Sequence, residues 1–389
     1  MDVLFLTHGF PRSASDPIGS FVLRLAVALR DEDVRVAVVA PSAEGLARTE
    51  EFEGIRVTRF RYAPRRLETL AYSGSMLAQV RGSLAGKATI VSFLGADLAA
   101  AMSEATRVRP AVIHAHWWFP GGLVGAGVAA ARRVPLITTL HGSDIAAAHS
   151  SALAAKIFSG VLRRSTRVTT VSQWLADETA AAVPGVTPVV APMPVAPGLF
   201  QPGGARARDR LLFVGKLNAQ KGIAHLLRAL ALMTAKPALD VVVGVGSDAN
   251  DVRDLAASLG VEPQLRFHPL LSQAELAGLY RECTALVAPF TGEGLGLIAI
   301  EAALTGMPVV AFASGGLTDI VIDGRTGLLV PTGDETALAA RLDELLTMPD
   351  QGAALGAAGR VRALETFAPA AVARRYASIY RDAAAARKP

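Results

Sequence analysis

The chain runs through one series of alternating strands and helices, stops at a proline-rich stretch, and starts a second series. Short apolar runs near Val3–Thr7, Val34–Ala40, Ile55–Phe60, Val112–Ala115, Leu136–Leu140 and Val168–Val171 are predicted as strands. Ala-rich helical stretches near Ser20–Arg30, Gly121–Arg132, Ser151–Arg163 and Gln173–Ala181 separate most of them. Strand and helix in alternation is the pattern of βαβ units on a parallel sheet. Pro184 to Pro202, with Pro188, Pro192, Pro194 and Pro197 between, then Gly203-Gly204 and the charged Arg206–Arg210, reads as a linker. Strands near Leu211–Val214, Val241–Val245, Leu265–Phe267, Ala285–Ala288, Val309–Phe312 and Leu328–Val330 follow, with a helix near Gly222–Leu232. The expectation is an α/β chain of two doubly wound, Rossmann-like domains with a cleft between them, residues 1–203 and 204–368. The 389 residues suit two domains on the usual size prior. A last helix is expected near Pro369–Arg387.

Composition narrows the class. The single cysteine, Cys283, excludes a disulfide framework or a cysteine-based zinc site and fits a reducing cytoplasm. MDVLFLTHGF has an acid at position 2 and no basic start, so it reads as a first strand rather than a signal peptide. No uninterrupted apolar run reaches the roughly 18 residues of a membrane span. Residues 1–205 carry 20 Lys and Arg against 15 Asp and Glu, whereas residues 206–389 carry 19 of each, so the net positive charge belongs to the first half.

The chemistry concentrates in Pro289–Val310. A strand ends, Thr291-Gly292-Glu293-Gly294 turns, and a helix is expected from there to about Thr305, closed by Gly306. Glycines let a ligand approach the backbone, and a helix start offers free N–H groups and a positive dipole end to a phosphate. Glu293 and Glu301 stand eight residues apart, a little over two turns, so both are expected on one face. Two carboxylates there suit hydroxyls flanking a diphosphate, or are simply solvated. Upstream, Gly215-Lys216-Leu217-Asn218-Ala219-Gln220-Lys221-Gly222 leaves a strand with two lysines that can both reach a diphosphate, or sit on the surface. In the first half, His141-Gly142-Ser143-Asp144 closes a strand. His114-Ala115-His116-Trp117-Trp118 leaves another; its two histidines share a strand face, read as a cleft wall rather than a metal site for want of a third ligand. Asp31-Glu32-Asp33 reads as a solvated turn. Gly244-Val245-Gly246-Ser247 lacks the third glycine of a dinucleotide fingerprint.

Together these segments resemble, in order along most of the chain, the retaining glycosyltransferases of the GT-B fold, family 4 (glycosyl transferases group 1). Glu293…Glu301 resembles the E-x7-E motif, the Lys216–Gly222 loop the VGR-L-x3-KG loop with Lys216 for the more usual Arg, and His141–Asp144 the HG-[ST]-D segment. Gly315-Gly316-Leu317-Thr318-Asp319 resembles GG-x2-E with Asp319 for Glu, and Gly19 the glycine-containing loop after the first strand, where Ile18 takes the place of a second Gly. The resemblance implies catalytic roles for His141, Lys216, Lys221 and Glu293, and donor contacts from Gly19, Gly215, Gly294, Leu295, Gly296 and Glu301. It places His116, Asp144 and Asp319 on the cleft and sends the last helix, about 369–389, back to the first domain.

The function implied is retaining transfer of a sugar from a nucleoside-diphosphate sugar to a glycan or glycolipid acceptor, lipid-linked or of the cell envelope, with no metal and no cofactor. Paired lysines stabilise a leaving diphosphate. The alternatives are a sugar-nucleotide epimerase, for which no acid/base pair can be named, and a non-catalytic nucleotide-sugar-binding module. No nucleic-acid partner is expected. Arg56, Arg59, Arg61, Arg65 and Arg66, followed by Leu67, Leu70, Ala71, Leu77, Val80 and Leu84 at helical spacing, read either as a peripheral contact with the anionic inner face of the membrane or as an ordinary packed helix.

Overall fold

The computed structural model describes residues 1–14, 16–72, 76, 84–204, 206–244 and 248–386. The chain divides into two units, Met1–Pro194 with Pro369–Pro389, and Val195–Ala368. The division falls ahead of residue 203 because the chain joins the second unit earlier: the Val195 N–H donates to Phe367 O at 3.1 Å, and Phe200 is fully buried against Tyr280.

In the first unit the strands are β1 (Asp2–Leu6), β2 (Arg35–Pro41), β3 (Thr49–Phe52), β4 (Ile55–Phe60), β5 (Val112–His116), β6 (Leu136–Leu140), β7 (Arg167–Thr170) and β8 (Val189–Val190). They form one sheet in the order β3-β4-β2-β1-β5-β6-β7-β8. All pairings are parallel except β3 with β4. β5 and β6 are buried throughout, as strands covered on both faces are; β6 is an apolar and threonine run, while β5 also buries His114 and His116. β3, reading TEEF, has no apolar run, so the sequence pattern does not reveal it. The helix Pro369–Ala385 lies in this unit; Tyr376 donates to Ala191 O at 2.9 Å, and Tyr380 and Tyr376 are fully buried. In the second unit β9 (Arg210–Gly215), β10 (Ala238–Val243), β11 (Leu265–His268), β12 (Ala285–Ala288), β13 (Val309–Phe312) and β14 (Leu328–Val330) form an all-parallel sheet, β11-β10-β9-β12-β13-β14. Both sheets are doubly wound: the strand order reverses at β1/β5 in one and β9/β12 in the other, where such sheets open a crevice beyond their strand ends.

Three expectations change. The helix after β12 is Leu297–Leu304, so Glu293 precedes it on a loop, and the shared helical face of Glu293 and Glu301 does not apply. Of the five arginines, Arg59 is not on the surface. Arg59 is 1% exposed; its guanidinium donates to Pro11 O at 2.5 Å, Glu50 at 2.8 Å and Tyr72 Oη at 3.1 Å, bracing the loop after β1. Arg56 pairs with Glu104 and Arg61 with Glu68, leaving Arg65 and Arg66 as the two of the five without an ion pair among the described residues. The start of the expected helical face is not helical: Arg65–Leu67 is a single 3₁₀ turn, and Leu70 and Ala71 are buried with their N–H groups on Tyr62 Oη. Leu77 and Val80 lie outside the described residues, as do Val245, Gly246 and Ser247.

Among the described residues one helix segment, Gly86–Val108, is long and apolar enough to cross a membrane by length and composition alone. It packs on the first sheet instead, burying Phe93, Ala101 and Ala105. It also buries Asp97, whose Oδ1 has no partner among the described residues; burial pushes its carboxyl up to about 8. A folded-state value raised above the unfolded one gives stability that is full below the unfolded value and lost as pH rises towards the folded one. Wild type is therefore expected to lose about 1.4 kcal/mol per pH unit, between roughly pH 4 and pH 8, relative to Asp97→Asn. Denaturant titrations of both proteins at pH 5 and pH 8 check this; parallel pH dependences would exclude it.

Candidate active site

In the second unit three loops converge at the β9/β12 reversal. The first, Lys216–Gly222, is tied by Asn218, whose side chain accepts the Lys221 N–H at 3.0 Å. Gly222 has φ +65°, and a Cβ there would lie 2.0 Å from Pro289 O, so only glycine lets this loop press against the second one. The Thr291 N–H donates to Gln220 O at 2.8 Å across the same seam. The third loop holds the second from its other side: the Gly316 N–H donates to Glu293 O at 2.7 Å, and the Gly292 N–H to Ser314 Oγ at 3.1 Å. At Gly315, with φ +60°, a Cβ would fall 2.4 Å from Glu293 O. The Gly315-Gly316 pair is thus the support of the Glu293 loop.

That framework brings Lys221 and Glu293 together, Nζ to Oε2 at 2.6 Å, with Nζ 4.2 Å from the centre of the Phe290 ring. Both side chains are about one-fifth exposed. Lys216, on the same loop, is exposed and makes no side-chain hydrogen bond or ion pair among the described residues. Gly215 ends β9, and its carbonyl accepts the Gly244 N–H. Gly294 carries the carbonyl against which Gly316 packs, Leu295 is buried beneath the loop, and Gly296, φ +89°, caps the helix Leu297–Leu304. Glu301 is not beside Glu293: it is buried on that helix, and its Oε2 accepts from Tyr280 Oη at 3.1 Å. Asp319 is half-buried on the short helix Leu317–Ile320, its carbonyl accepting from Arg362. Among the described residues no three His, Cys, Asp or Glu side chains group as metal ligands.

In the first unit the ends of β1, β5 and β6 gather aromatic rings. His141, just past β6, has its Nε2 3.1 Å from His116 Nδ1 and its ring centre 4.3 Å from Trp117 and 5.2 Å from Phe21. His8 lies 4.4 Å from Trp117. Burial pushes His8 down to about 4 and His116, with the charge of His8 adding, down to about 3. His114 and His141 are lowered well below the ordinary value by burial and then by their histidine neighbours. Asp144 is 2% exposed: its two oxygens accept the Trp118 N–H at 3.1 Å and the His141 N–H at 2.7 Å, which fixes the turn. Burial pushes its carboxyl up to about 6 against those hydrogen bonds. Gly19, φ +70°, starts the helix Ser20–Ala28, and a Cβ there would lie 2.1 Å from Gly9 O. The sequence reading singled out neither His8 nor Tyr376 and Tyr380. Strand alternation, which puts His114 and His116 on one face, was the available signal for the rest of the cluster.

Both halves of the chain match known family models: Glycosyltransferase Family 4 over residues 18–197 and Glycosyl transferases group 1 over residues 200–362. A D-inositol 3-phosphate glycosyltransferase of Frankia alni is 35% identical over 318 residues, 70% of this chain and 74% of that protein. Among solved structures, sucrose-phosphate synthase (tll1590) from Thermosynechococcus elongatus superposes with TM-score 0.80 at 22% identity, over 99% of both chains. Anabaena Alr3699/HepE in complex with UDP-glucose does so with TM-score 0.72 at 18% identity, over 98% of this chain and 100% of that one. With two doubly wound units and this relative, the chain belongs to the group 1, family 4 glycosyltransferases and has their GT-B fold.

Proposed function

We propose that this glycosyltransferase takes a nucleoside-diphosphate sugar as donor and transfers the sugar with retention, without a metal ion. The observation that carries the reading is the Lys221–Glu293 pair, presented at the β9/β12 reversal beside Lys216 and the start of the helix Leu297–Leu304. Lys216, Lys221 and that helix start neutralise the diphosphate, and Glu293 takes hydroxyls of the sugar. Glu301, steadied by Tyr280, takes those of the ribose. His141 supplies a polar contact to the transferred sugar. The bond between the anomeric carbon and the diphosphate oxygen breaks, and the acceptor oxygen bonds to the same face. The acceptor's proton passes to the leaving phosphate oxygen. Asp144, the carboxylate bonded to the His141 main chain, has both oxygens on N–H groups, which supports departure on one face over a covalent carboxylate intermediate.

The relatives named for D-inositol 3-phosphate make that molecule the first acceptor to try, ahead of lipid-linked glycans. A membrane step is left out, since Arg59 is buried and Arg56 and Arg61 are paired. The test is release of nucleoside diphosphate from a panel of UDP- and GDP-sugars with and without D-inositol 3-phosphate, with the anomeric configuration of the product read by NMR. Inversion of configuration, or no acceptor-dependent or hydrolytic release from any donor, would refute the reading. Excess EDTA is expected to leave the rate unchanged, because two lysines occupy the place a cation would take. Loss of activity that Mg²⁺ or Mn²⁺ restores would overturn metal independence.

A further inference from the structure

We propose that His116 is a positioning residue for the transfer: it holds the His141 ring in the tautomer whose proton is on Nδ1, so that His141 presents an N–H donor to its ligand. The inference rests on the reading that His141 contacts the transferred sugar.

The geometry carries it. His116 and His141 share a single hydrogen bond, Nδ1 to Nε2 at 3.1 Å, with their rings stacked at 29°. Two neutral imidazoles joined this way have one proton between those two nitrogens, so the tautomer of one ring dictates that of the other. Burial with no carboxylate contact on either ring keeps both neutral. The remaining nitrogen of His116, Nε2, is buried and has no partner among the described residues. A buried N–H left unsatisfied is rarer than an acceptor left unsatisfied. Hydrogen-bond satisfaction therefore puts the His116 proton on Nδ1, donating to His141 Nε2. The proton of His141 is then on Nδ1, which has no protein partner among the described residues.

The His116 ring is held from behind. His114, two residues back on β5 and on the same face, lies 4.2 Å away, and both its nitrogens are bonded: Nδ1 to Tyr380 Oη at 2.7 Å and Nε2 to Thr139 Oγ1 at 2.6 Å. Thr139 is in turn 2.5 Å from Thr169 Oγ1. Phe5 closes the other side, 5.0 Å from the His116 ring. Tyr380 belongs to the helix Pro369–Ala385, so the end of the chain supplies the wall against which the pair is fixed. An orientation held by this many contacts costs no ordering when a ligand arrives.

The test has two arms. In wild-type protein labelled with ¹⁵N-histidine, with His141 assigned by comparison with His141→Gln, Nδ1 is expected to carry the proton and Nε2 to be bare. The opposite pattern overturns the proposal without any variant of His116. In the second arm, release of UDP from UDP-glucose is measured. His116→Leu is expected to lower kcat about tenfold to hundredfold with KM within about threefold, and His116→Asn, whose amide can donate from the position of Nδ1, to recover most of it. Equal kcat in His116→Leu and wild type, or no recovery in a folded His116→Asn, overturns it. His141→Ala separates the two readings: if it leaves turnover intact, the sugar-contact reading fails. If it abolishes turnover while His116→Leu is normal, only the positioning role fails.

Discussion

Lys221→Ala is expected to reduce turnover about 10²-fold or more while leaving the fold intact, the scale of loss when one donor to developing charge is removed. The ion pair with Glu293 is partly exposed on both sides and stabilises the protein by about 1 kcal/mol at most. Stability is therefore not the reason two complementary charges are held at the end of the sheet. Lys221 sits over Phe290 and beside Glu293; on the proposed reading a donor's phosphates draw Nζ away from the carboxylate and free Glu293 for sugar hydroxyls. Truncation removes the charge and leaves that carboxylate unpaired beside incoming phosphates, so donor affinity should fall as well. The measurement is kcat and KM for nucleotide release together with the thermal midpoint. Turnover within a few-fold of wild type at an unchanged midpoint would remove Lys221 from the mechanism.

The second large effect is acid sensitivity of the first unit. His8, His114, His116 and His141 are all depressed by burial; the groups facing their rings are one another, Tyr376 and Tyr380, and the one carboxyl nearby, Asp144, bonds the His141 main chain rather than a ring. A base whose folded value is depressed contributes stability present above its unfolded value, near 6.5, and lost as pH falls towards the folded value. His8 and His116 then each cost about 1.4 kcal/mol per pH unit, so roughly 2 kcal/mol by pH 5, and His114 and His141 add in the same direction. Asp97 and Asp144, both carboxyls raised by burial, act in the opposite direction and offset part of this; Asp97→Asn removes the larger of the two and is the cleaner background. In that background His8 and His116 together cost about 4 kcal/mol by pH 5, a large share of an ordinary domain's stability of about 5–15 kcal/mol. The thermal midpoint of the first unit is expected to fall between pH 7 and pH 5. Circular dichroism melts at half-unit intervals from pH 7 to pH 5 give the answer; a midpoint independent of pH in the Asp97→Asn background would mean that these rings are hydrated or paired in solution.

Much of the architecture was legible before any coordinates. A strand covered on both faces must be apolar along its length, so β1, β2, β5, β6 and β9, β10, β12, β13 stand out as short runs between Ala-rich helices. The linker prolines then separate the two series. The loops of the second unit are legible for a different reason: a Cβ at Gly222, Gly315 or Gly316 would fall 2.0 to 2.4 Å from a backbone oxygen, and such needs leave glycines at fixed places. Arg59 was readable and was passed over. It shares strand parity with Ile55 and Val57, which point inward, yet its charge suggested a surface. β3 and β8 gave no signal, because edge strands of two to four mixed residues bury too little to shape a pattern.

The sequence by itself determined the two doubly wound units and the Lys216, Lys221, Glu293 and His141 loops, because burial along a strand and the glycines of a tight turn mark consecutive residues of the chain. The tertiary structure decided which side chains meet. Glu293 faces Lys221 rather than Glu301 because the helix starts only at Leu297 and because the pairing of β12 with β9 brings together two residues 72 apart in sequence. His141 acquires its partner because β5 and β6 are neighbours in the sheet. Tyr380 reaches His114 from 266 residues away because the final helix packs on the first unit. Such meetings depend on strand order and on the path of the closing helix, and local periodicity carries neither.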